Sequence, residues 1–170
     1  MINGKGNLKD MYPNLDKDQL QPAGVDLTLD KVMCLETNNN LYGLCKDVKQ
    51  LPTQTPLPMN DVMIGGTMRK GFTLAPHVPY IAVTTEKIKI DSDSGQFYLP
   101  RSTLLRSGID VRTAFGDPGF NGHLSFLMIN HTDTDYFIEH GARFVQLVDI
   151  QVIVPGDEYD GDYQEWQSSV

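Results

Sequence analysis

The 170-residue chain has only two cysteines, fewer basic than acidic side chains and no long run of apolar residues. Two cysteines are too few for a disulfide scaffold or a tetrahedral zinc site, so Cys34 and Cys45 are interpreted as two buried thiols in a reduced compartment. The lack of a run of about 18 apolar residues excludes a spanning helix. The polar first residues also lack the apolar core of a secretory signal. We therefore expect a cytoplasmic protein with no membrane partner.

The shortage of basic residues argues against nucleic acid as a partner. Fourteen Lys and Arg residues stand against 22 Asp and Glu residues, a formal net charge of −8 at pH 7. Proteins that bind DNA or RNA neutralise its phosphates with clusters of Lys and Arg. Any polyanion bound by this chain must therefore be small and held by a local group of donors.

The length of the chain and its many glycines and prolines predict one mainly-β domain over residues 1–170. A chain of this size buries enough surface to support a core without disulfides. Fifteen glycines and ten prolines divide it into short segments, which is typical of strands and turns. Alternating or continuous apolar segments predict strands at 25–29, 78–85, 87–90, 124–129 and 144–154, of which 25–29 and 87–90 should be half-buried.

Helical signals are sparse. Residues 102–107 form the best candidate, because Ser102 can cap the helix, Leu104 and Leu105 can face the core, and Gly108 can end it. Residues 7–20 predict at most one or two irregular turns.

Two further segments are polar. Residues 38–58 predict loops or hairpins over the surface. Residues 155–170 predict a flexible tail, but three aromatic residues within it favour a lid that closes on another part of the protein.

Four short segments combine polar residues with apolar or turn residues: 21–27 (QPAGVDL), 100–108 (PRSTLLRSG), 108–122 (GIDVRTAFGDPGFNG) and 141–147 (GARFVQL). The second segment predicts a helix start with arginines nearby, which suits a phosphate. The arginines in question are Arg101, Arg106, Arg112 and Arg143. The alternative interpretation is a simple helix cap with surface salt bridges.

The third segment offers a carboxylate in a bend rich in Gly and Pro. Asp117 is either a turn-former that bonds its own backbone or a carboxylate that orients or deprotonates water. Phe120 is either a core residue or a ring that packs against a sugar. Neither residue decides the matter alone.

The order and spacing of the four segments resemble the trimeric dUTPase and dCTP deaminase superfamily. The A-G-x-D-L motif of that superfamily stands at 23–27, P-R-S at 100–102, and G-I-x-V at 108–111. The third motif continues through Asp117, Phe120 and Gly122, and G-x-R-x-x-Q-L stands at 141–147 after Asn130. The match spans residues 23–147.

The resemblance implies a small, distorted antiparallel jelly roll with one short helix, assembled as a homotrimer with active sites at subunit interfaces. It implies that Asp117 positions the attacking water or the sugar 3′-hydroxyl, and that Phe120 packs against deoxyribose. Ser102 and Gln146 would bind phosphate, and the hairpin 111–116 would contact the pyrimidine through its backbone. The full set implied to bind substrate is Arg101, Ser102, Thr103, Arg106, Val111, Thr113, Phe120, Gln146, Tyr163 and Gln164.

The superfamily carries out two reactions, and the sequence favours hydrolysis. Its deaminases use a Glu five residues after the Gly that closes the third motif, and here that position is Leu127, which cannot transfer a proton. The spacing from Val111 to Asp117 also resembles dUTPases, whereas Arg106, the bend 117–120 and the tail around Tyr163 resemble deaminases. We expect hydrolysis of dUTP to dUMP and pyrophosphate, with Mg²⁺ held through the substrate phosphates rather than by protein ligands.

Three alternatives remain open. The first is a dCTP deaminase, or a bifunctional enzyme, that uses an acid outside the motif. The second is a non-catalytic nucleotide-binding or regulatory protein on the same scaffold, with dCTP or dTTP as further candidate ligands. The third is a jelly-roll binding module with no affinity for nucleotides.

Overall fold

The computed structural model describes residues 15–36, 41–152 and 156–164. Within these ranges the chain is mainly β-strand, with one three-residue 3-10 turn and one short α-helix, α1 (Ser102–Arg106). The first strands are β1 (Leu20–Gln21), β2 (Gly24–Glu36), β3 (Gly43–Leu44), β4 (Lys49–Gln50), β5 (Thr53–Pro56), β6 (Asn60–Ile64) and β7 (Thr67–Leu74). The others are β8 (Pro79–Lys89), β9 (Ser94–Pro100), β10 (Ile109–Arg112), β11 (Asn121–Asn130), β12 (Tyr136–Glu139) and β13 (Arg143–Gln151).

The main sheet is antiparallel and nearly closes on itself. Its strand order is β10-β11-β8-β2-β13-β9, with β1 and β5 paired to β2. The end strand β9 is joined to the turn that follows the other end strand, β10, by a bridge in which the Gln96 amide donates to the Gly116 carbonyl at 2.9 Å and the Gly116 amide donates to the Gln96 carbonyl at 2.8 Å. This bridge gives a barrel-like sheet, so the predicted mainly-β fold with one short helix is confirmed.

The core fills the inside of this sheet. On β11, side chains alternate between buried and less buried positions, and Leu124, Phe126 and Met128 point inward. The ring of Phe126 lies 5.2 Å from that of Tyr98 on β9 and 6.1 Å from that of Phe144 on β13. Each such aromatic pair is worth about 0.5–1.5 kcal/mol beyond the area it buries, so Phe126 ties three strands together.

The predicted strands were mostly confirmed, with two corrections. The alternation at 87–90 is observed: Ile88 and Ile90 are buried and the two lysines are exposed. The predicted half-burial of 25–29 is wrong at Asp26, which has no exposed surface and is in contact with the side chains of Arg101 and Arg143. The strand predicted at 144–154 ends at Gln151; residues 153–154 lie outside the described ranges.

The helix prediction was right in place and wrong in detail. Arg101, not Ser102, is the N-cap, because its extended backbone precedes the first helical residue, Ser102. Leu104 is buried, but Leu105 is 68% exposed, because a helix of five residues has room for one core contact. For 7–20, the described part holds only the 3-10 turn Lys17–Gln19; residues 7–14 lie outside the described ranges.

The polar segment 38–58 contains the expected hairpin, β3–β4, within its described part. β5 then pairs with the second half of β2. Cys34, on β2, is half-buried and Cys45 is exposed, so the interpretation of two buried thiols is wrong. A separate sheet, in the order β12-β7-β6, packs beside the barrel. None of the helices in the described part is long and apolar enough to cross a membrane.

Candidate functional site

A buried carboxylate organises two arginines next to the start of α1. The Nη1 atom of Arg101 donates to Oδ2 of Asp26 at 2.6 Å, and Nη1 of Arg143 lies 3.5 Å from the same oxygen. The Asp26 side chain has no exposed surface, whereas those of Arg101 and Arg143 are 31% and 39% exposed. We name Asp26, Arg101 and Arg143 the arginine cluster. It holds two guanidinium groups in place with part of each facing solvent.

The A-G-x-D-L motif has a steric reason. A Cβ atom at Gly24 would lie 2.1 Å from the backbone oxygen of Leu147, so only glycine lets β2 pack against β13 here. The resulting register sets Asp26 directly opposite Gln146. Directly opposite residues project from the same face of a sheet, so Gln146 lies beside the arginine cluster.

Burial and charge act in opposite directions on Asp26. Burial raises the pKa of its carboxyl above the ordinary value of 3.8, and the attraction of Arg101 and Arg143 offsets only part of that rise. The second oxygen, Oδ1, has no hydrogen-bond partner among the described residues. The carboxylate is therefore costly to ionise, and it depends on the arginines.

A second group of residues forms a pocket of about 220 Å³, which we name the aromatic pocket. Its wall comes from the turn after β10, from the first half of β11 and from the C-terminal segment. The lining residues are Tyr98, Ala114, Phe115, Gly116, Asp117, Phe120, His123, Leu124, Ser125, Phe126, Tyr159 and Tyr163. Asp117 is the only carboxylate among them.

The structure brings three of the residues proposed from sequence together in this pocket: Asp117, Phe120 and Tyr163. Thr113 does not line the pocket, and its hydroxyl donates to the Tyr98 carbonyl at 2.8 Å. Val111 is 4% exposed, so its side chain belongs to the core and is not available to a ligand. A contact through the backbone of 111–116 stays a prediction.

The remaining proposed phosphate ligands lie elsewhere on the chain. Ser102 and Thr103 are exposed at the start of α1, directly after the cluster residue Arg101, and Arg106 is exposed at its end. None of these residues lines the aromatic pocket, and neither does Gln146. Within one chain, the predicted site is therefore divided into two groups of residues: those around Asp117, which line the aromatic pocket, and the proposed phosphate ligands, which do not.

The C-terminal segment lies over the loop that carries Asp117 and Phe120. The Gln164 side chain accepts a hydrogen bond from the Asn121 amide at 2.9 Å and donates to the Gly119 carbonyl at 3.0 Å. The Tyr159 amide donates to the Pro118 carbonyl at 2.7 Å, and the Tyr159 ring meets that of Phe120 edge-on at 5.8 Å.

The loop and the segment fit closely. A Cβ atom at Gly119, whose φ is +84°, would lie 2.8 Å from Cβ of Glu158. An ion pair at 2.5 Å between Lys49 and Asp162 joins the segment to the β3–β4 hairpin. Residues 156–164 therefore pack on the loop 117–121. That the tail acts as a lid stays a prediction, and residues 155 and 165–170 lie outside the described ranges. Gln164 does not line the pocket, because both ends of its amide are held by the loop backbone.

The position that decides between the two reactions carries no acid. Leu127 lies on β11 opposite Arg112 and Ile81 and does not line the aromatic pocket. Glu139, the next acid along the chain after Asp133 and Asp135, lies on β12 and pairs with Arg69 at 3.3 Å. Among the described residues, no three His, Cys, Asp or Glu side chains gather as a metal site.

Sequence reasoning missed six residues of the pocket wall: Tyr98, His123, Leu124, Ser125, Phe126 and Tyr159. A regular strand would turn every second side chain away from the pocket, so consecutive wall residues on β11 could not be foreseen. Asp26 did carry a signal that was not used. A carboxylate between Val25 and Leu27, which are both apolar, indicates a buried charge that needs a partner.

Known proteins resemble this chain over most of its length. Residues 4–152 match the family model described as dCTP deaminase-like. The chain is 44% identical over 163 residues to a Methanopyrus kandleri protein named "Probable deoxyuridine 5′-triphosphate nucleotidohydrolase", covering 96% of this chain and 99% of that one. A Methanothermobacter thermautotrophicus protein of the same name is 40% identical over 165 residues, covering 97% and 100%.

The fold also matches a solved structure. The crystal structure of 2′-deoxycytidine 5′-triphosphate deaminase from Agrobacterium tumefaciens aligns with a TM-score of 0.63 at 21% identity. The alignment covers 87% of this chain and 47% of that chain. At this identity the likeness is one of fold.

Proposed function

The chain belongs to the dCTP deaminase-like family, and from this premise we propose that it is a dUTP diphosphatase, which hydrolyses dUTP to dUMP and pyrophosphate. One observation carries the choice of reaction. The aromatic pocket holds a single carboxylate, Asp117, beside Phe120, and the position at which the superfamily's deaminases have Glu is Leu127. The names of the two relatives above support the same reaction.

Asp117 is suited to the water-activating role because it is an exposed carboxylate at the mouth of an aromatic wall. In the proposed step, it orients a water molecule and accepts its proton as the water oxygen bonds to the α-phosphorus. The bond from that phosphorus to the bridging oxygen breaks, and pyrophosphate leaves with the electron pair. The proton then passes from Asp117 to solvent. Phe120 packs against the deoxyribose and leaves no room for a 2′-hydroxyl.

The triphosphate would lie against the arginine cluster, with the hydroxyl of Ser102 and the amide of Gln146 as further donors. Two fixed guanidinium groups allow an acidic protein to hold a polyanion locally, since charge-assisted hydrogen bonds are the strong ones. Mg²⁺ would be carried by phosphate oxygens and water, and it would reduce the charge that these donors must neutralise.

Because one chain keeps the aromatic pocket apart from the arginine cluster, a complete site needs a second copy. The outer strand β9 supports this requirement, since Phe97 and Leu99 are 51% and 52% exposed. Phe97 also meets Phe115, a residue of the pocket wall, at 5.1 Å. We therefore propose a homotrimer with sites between subunits. The cytoplasmic location expected from sequence stays a prediction.

The test incubates the protein separately with dUTP and dCTP in the presence of Mg²⁺ and measures both pyrophosphate and ammonia. We expect pyrophosphate from dUTP and no ammonia from dCTP. Ammonia from dCTP would identify a deaminase or a bifunctional enzyme. Binding of a non-hydrolysable dUTP analogue, with no pyrophosphate released from dUTP, would identify a non-catalytic nucleotide-binding protein. Light scattering of the same sample measures the oligomeric state.

A further inference from the structure

His123 lies in the wall of the aromatic pocket, and one of its ring nitrogens is already engaged. Nδ1 lies 3.1 Å from the backbone oxygen of Thr84 on the neighbouring strand β8. A carbonyl oxygen can only accept a hydrogen bond, so Nδ1 must carry the proton of this pair. In the neutral ring, Nε2 is then a bare acceptor. Nε2 has no hydrogen-bond partner within the part of the chain that the structure describes.

The strand pairing is irregular at the point where His123 lines the pocket. The register between β11 and β8 shifts between His123 and Ser125, which marks a bulge. Bulges turn side chains from their regular direction and occur often beside active sites. Four consecutive residues, 123–126, line the pocket at this irregularity.

Thr84 contacts both residues at the irregularity, His123 through its backbone oxygen and Leu124 through its hydroxyl. The Leu124 amide donates to the Thr84 hydroxyl at 3.0 Å, and that hydroxyl donates to the Glu86 carbonyl at 2.9 Å. Thr84 has no exposed surface. His123 is therefore attached through Nδ1 to a rigid, buried residue, and its orientation is set before any ligand arrives.

We propose that Nε2 of His123 accepts a hydrogen bond from an N–H or O–H group on the nucleoside half of the substrate, and that His123 is a specificity-determining residue. This proposal rests on the proposed function, because it takes a deoxyuridine nucleotide as the ligand. Two groups of that nucleoside supply the chemistry: N3–H of uracil and the 3′-hydroxyl of the sugar. Cytosine has a bare acceptor at N3, so a contact with N3–H would also disfavour cytosine.

Two variants distinguish the contribution of Nδ1 of His123 from that of Nε2. His123→Asn places an amide near Nδ1, keeps a donor for the Thr84 carbonyl and removes the acceptor at Nε2. His123→Gln reaches the position of Nε2 and restores an acceptor there. We expect the Asn variant to bind a non-hydrolysable dUTP analogue about tenfold more weakly, as the loss of one hydrogen bond in a pocket predicts. We expect the Gln variant to stay within about threefold of the wild type.

Modified nucleotides identify the group that is bound. Affinities of the wild type and His123→Asn are measured for the dUTP analogue, for its N3-methyl form and for its 3′-deoxy form. A double-mutant cycle between protein and ligand shows coupling only for the group that contacts Nε2. The variant should lose no further affinity for the form that lacks that group. Equal losses for every ligand, or no loss at all, would overturn the proposal and leave His123 a structural residue.

The experiment measures the affinity for non-hydrolysable analogues, so its result does not depend on whether the protein hydrolyses dUTP. If the wild type binds the analogue but releases no pyrophosphate, the proposed hydrolysis fails while the cycle still decides the role of His123. If the wild type hydrolyses dUTP and the cycle shows no coupling, only the role of His123 fails. If no analogue binds, both fail. Circular dichroism of each variant confirms that the fold is kept.

Discussion

Arg101 donates a 2.6 Å hydrogen bond to Asp26 at a point in the sheet where the carboxylate has no exposed surface. The pair joins strand β2 to the start of α1, and Arg143 adds a second positive charge from β13. Asp26 therefore has two roles: it stabilises the fold, and it positions arginines that the proposed function assigns to the triphosphate. If Asp26 is lost, Arg101 loses its hydrogen-bonded carboxylate, whereas Arg143 keeps the hydrogen bond that it donates to the Asp18 carbonyl.

Replacing Asp26 with Ala should lower the free energy of unfolding by about 2–3 kcal/mol, because it removes the carboxylate partner of Arg101 and one of the two partners of Arg143, whose Nη1 also donates to the Asp18 carbonyl. The loss should stay below that for fully buried pairs, since both arginines reach solvent. The matched control is Asp110→Ala, which breaks the exposed pair with Arg112 at 2.8 Å and should cost less than about 1 kcal/mol. Urea unfolding of the three proteins provides the comparison, and equal losses in the two variants would contradict the argument.

The pH dependence of stability should show the cost of ionising Asp26. Its pKa in the folded chain is raised above 3.8, chiefly by burial, so between 3.8 and the folded value the native state holds more protons than the unfolded state. Stability from this group is then present at low pH and falls as pH rises through the folded pKa. The difference in unfolding free energy between the wild type and Asp26→Asn should fall across this window and level off above it. A rising difference would mean that the arginines outweigh burial.

These two predictions depend on something that the sequence showed only in part. The alternation V-D-L-T-L predicted a strand with one solvent-exposed face. β2 is a strand, but its face at Asp26 is buried. Burial of that face depends on β13 and on Arg101, which are distant in sequence. The K-I-K-I alternation on β8 needed no such partner, and it was confirmed.

Two features of the fold leave no local signal in the sequence. β6 and the first half of β7 form a hairpin exposed on both faces, so no apolar alternation marks its strands. The register shift beside His123 is a property of the β11–β8 pair rather than of either segment. The motifs located Asp117 and Phe120 in one pocket, because that part of the site lies within a single loop. They could not show that the arginine cluster lies apart from it in one chain.

Gln164 should control how firmly the C-terminal segment rests on the loop 117–121. Gln164→Ala removes two hydrogen bonds, each worth about 0.5–1.5 kcal/mol, so the segment should open about 5- to 150-fold more often. The Asn121 amide, which loses its acceptor, should exchange its hydrogen correspondingly faster. Asp162→Asn is the control, since it removes only the exposed ion pair with Lys49 and should leave the exchange of Asn121 nearly unchanged. The same rate in Gln164→Ala and wild type would show that the segment is held by other contacts.

Substitution of Asp117 should lower the turnover of dUTP and leave nucleotide binding nearly unchanged. Asp117→Asn keeps the shape of the side chain and removes the acceptor of the water proton, so we expect kcat for dUTP to fall by about 10²–10⁴. The affinity for a non-hydrolysable analogue should change by less than about threefold, because the triphosphate is held by other residues in the proposal. Asp133→Asn, at an exposed carboxylate that pairs with His77 outside the pocket, is the control and should leave both values near those of the wild type. A variant at 117 that turns over normally would remove this carboxylate from the chemistry. A variant that loses affinity as strongly as turnover would make it a ligand for the substrate instead of the group that activates water.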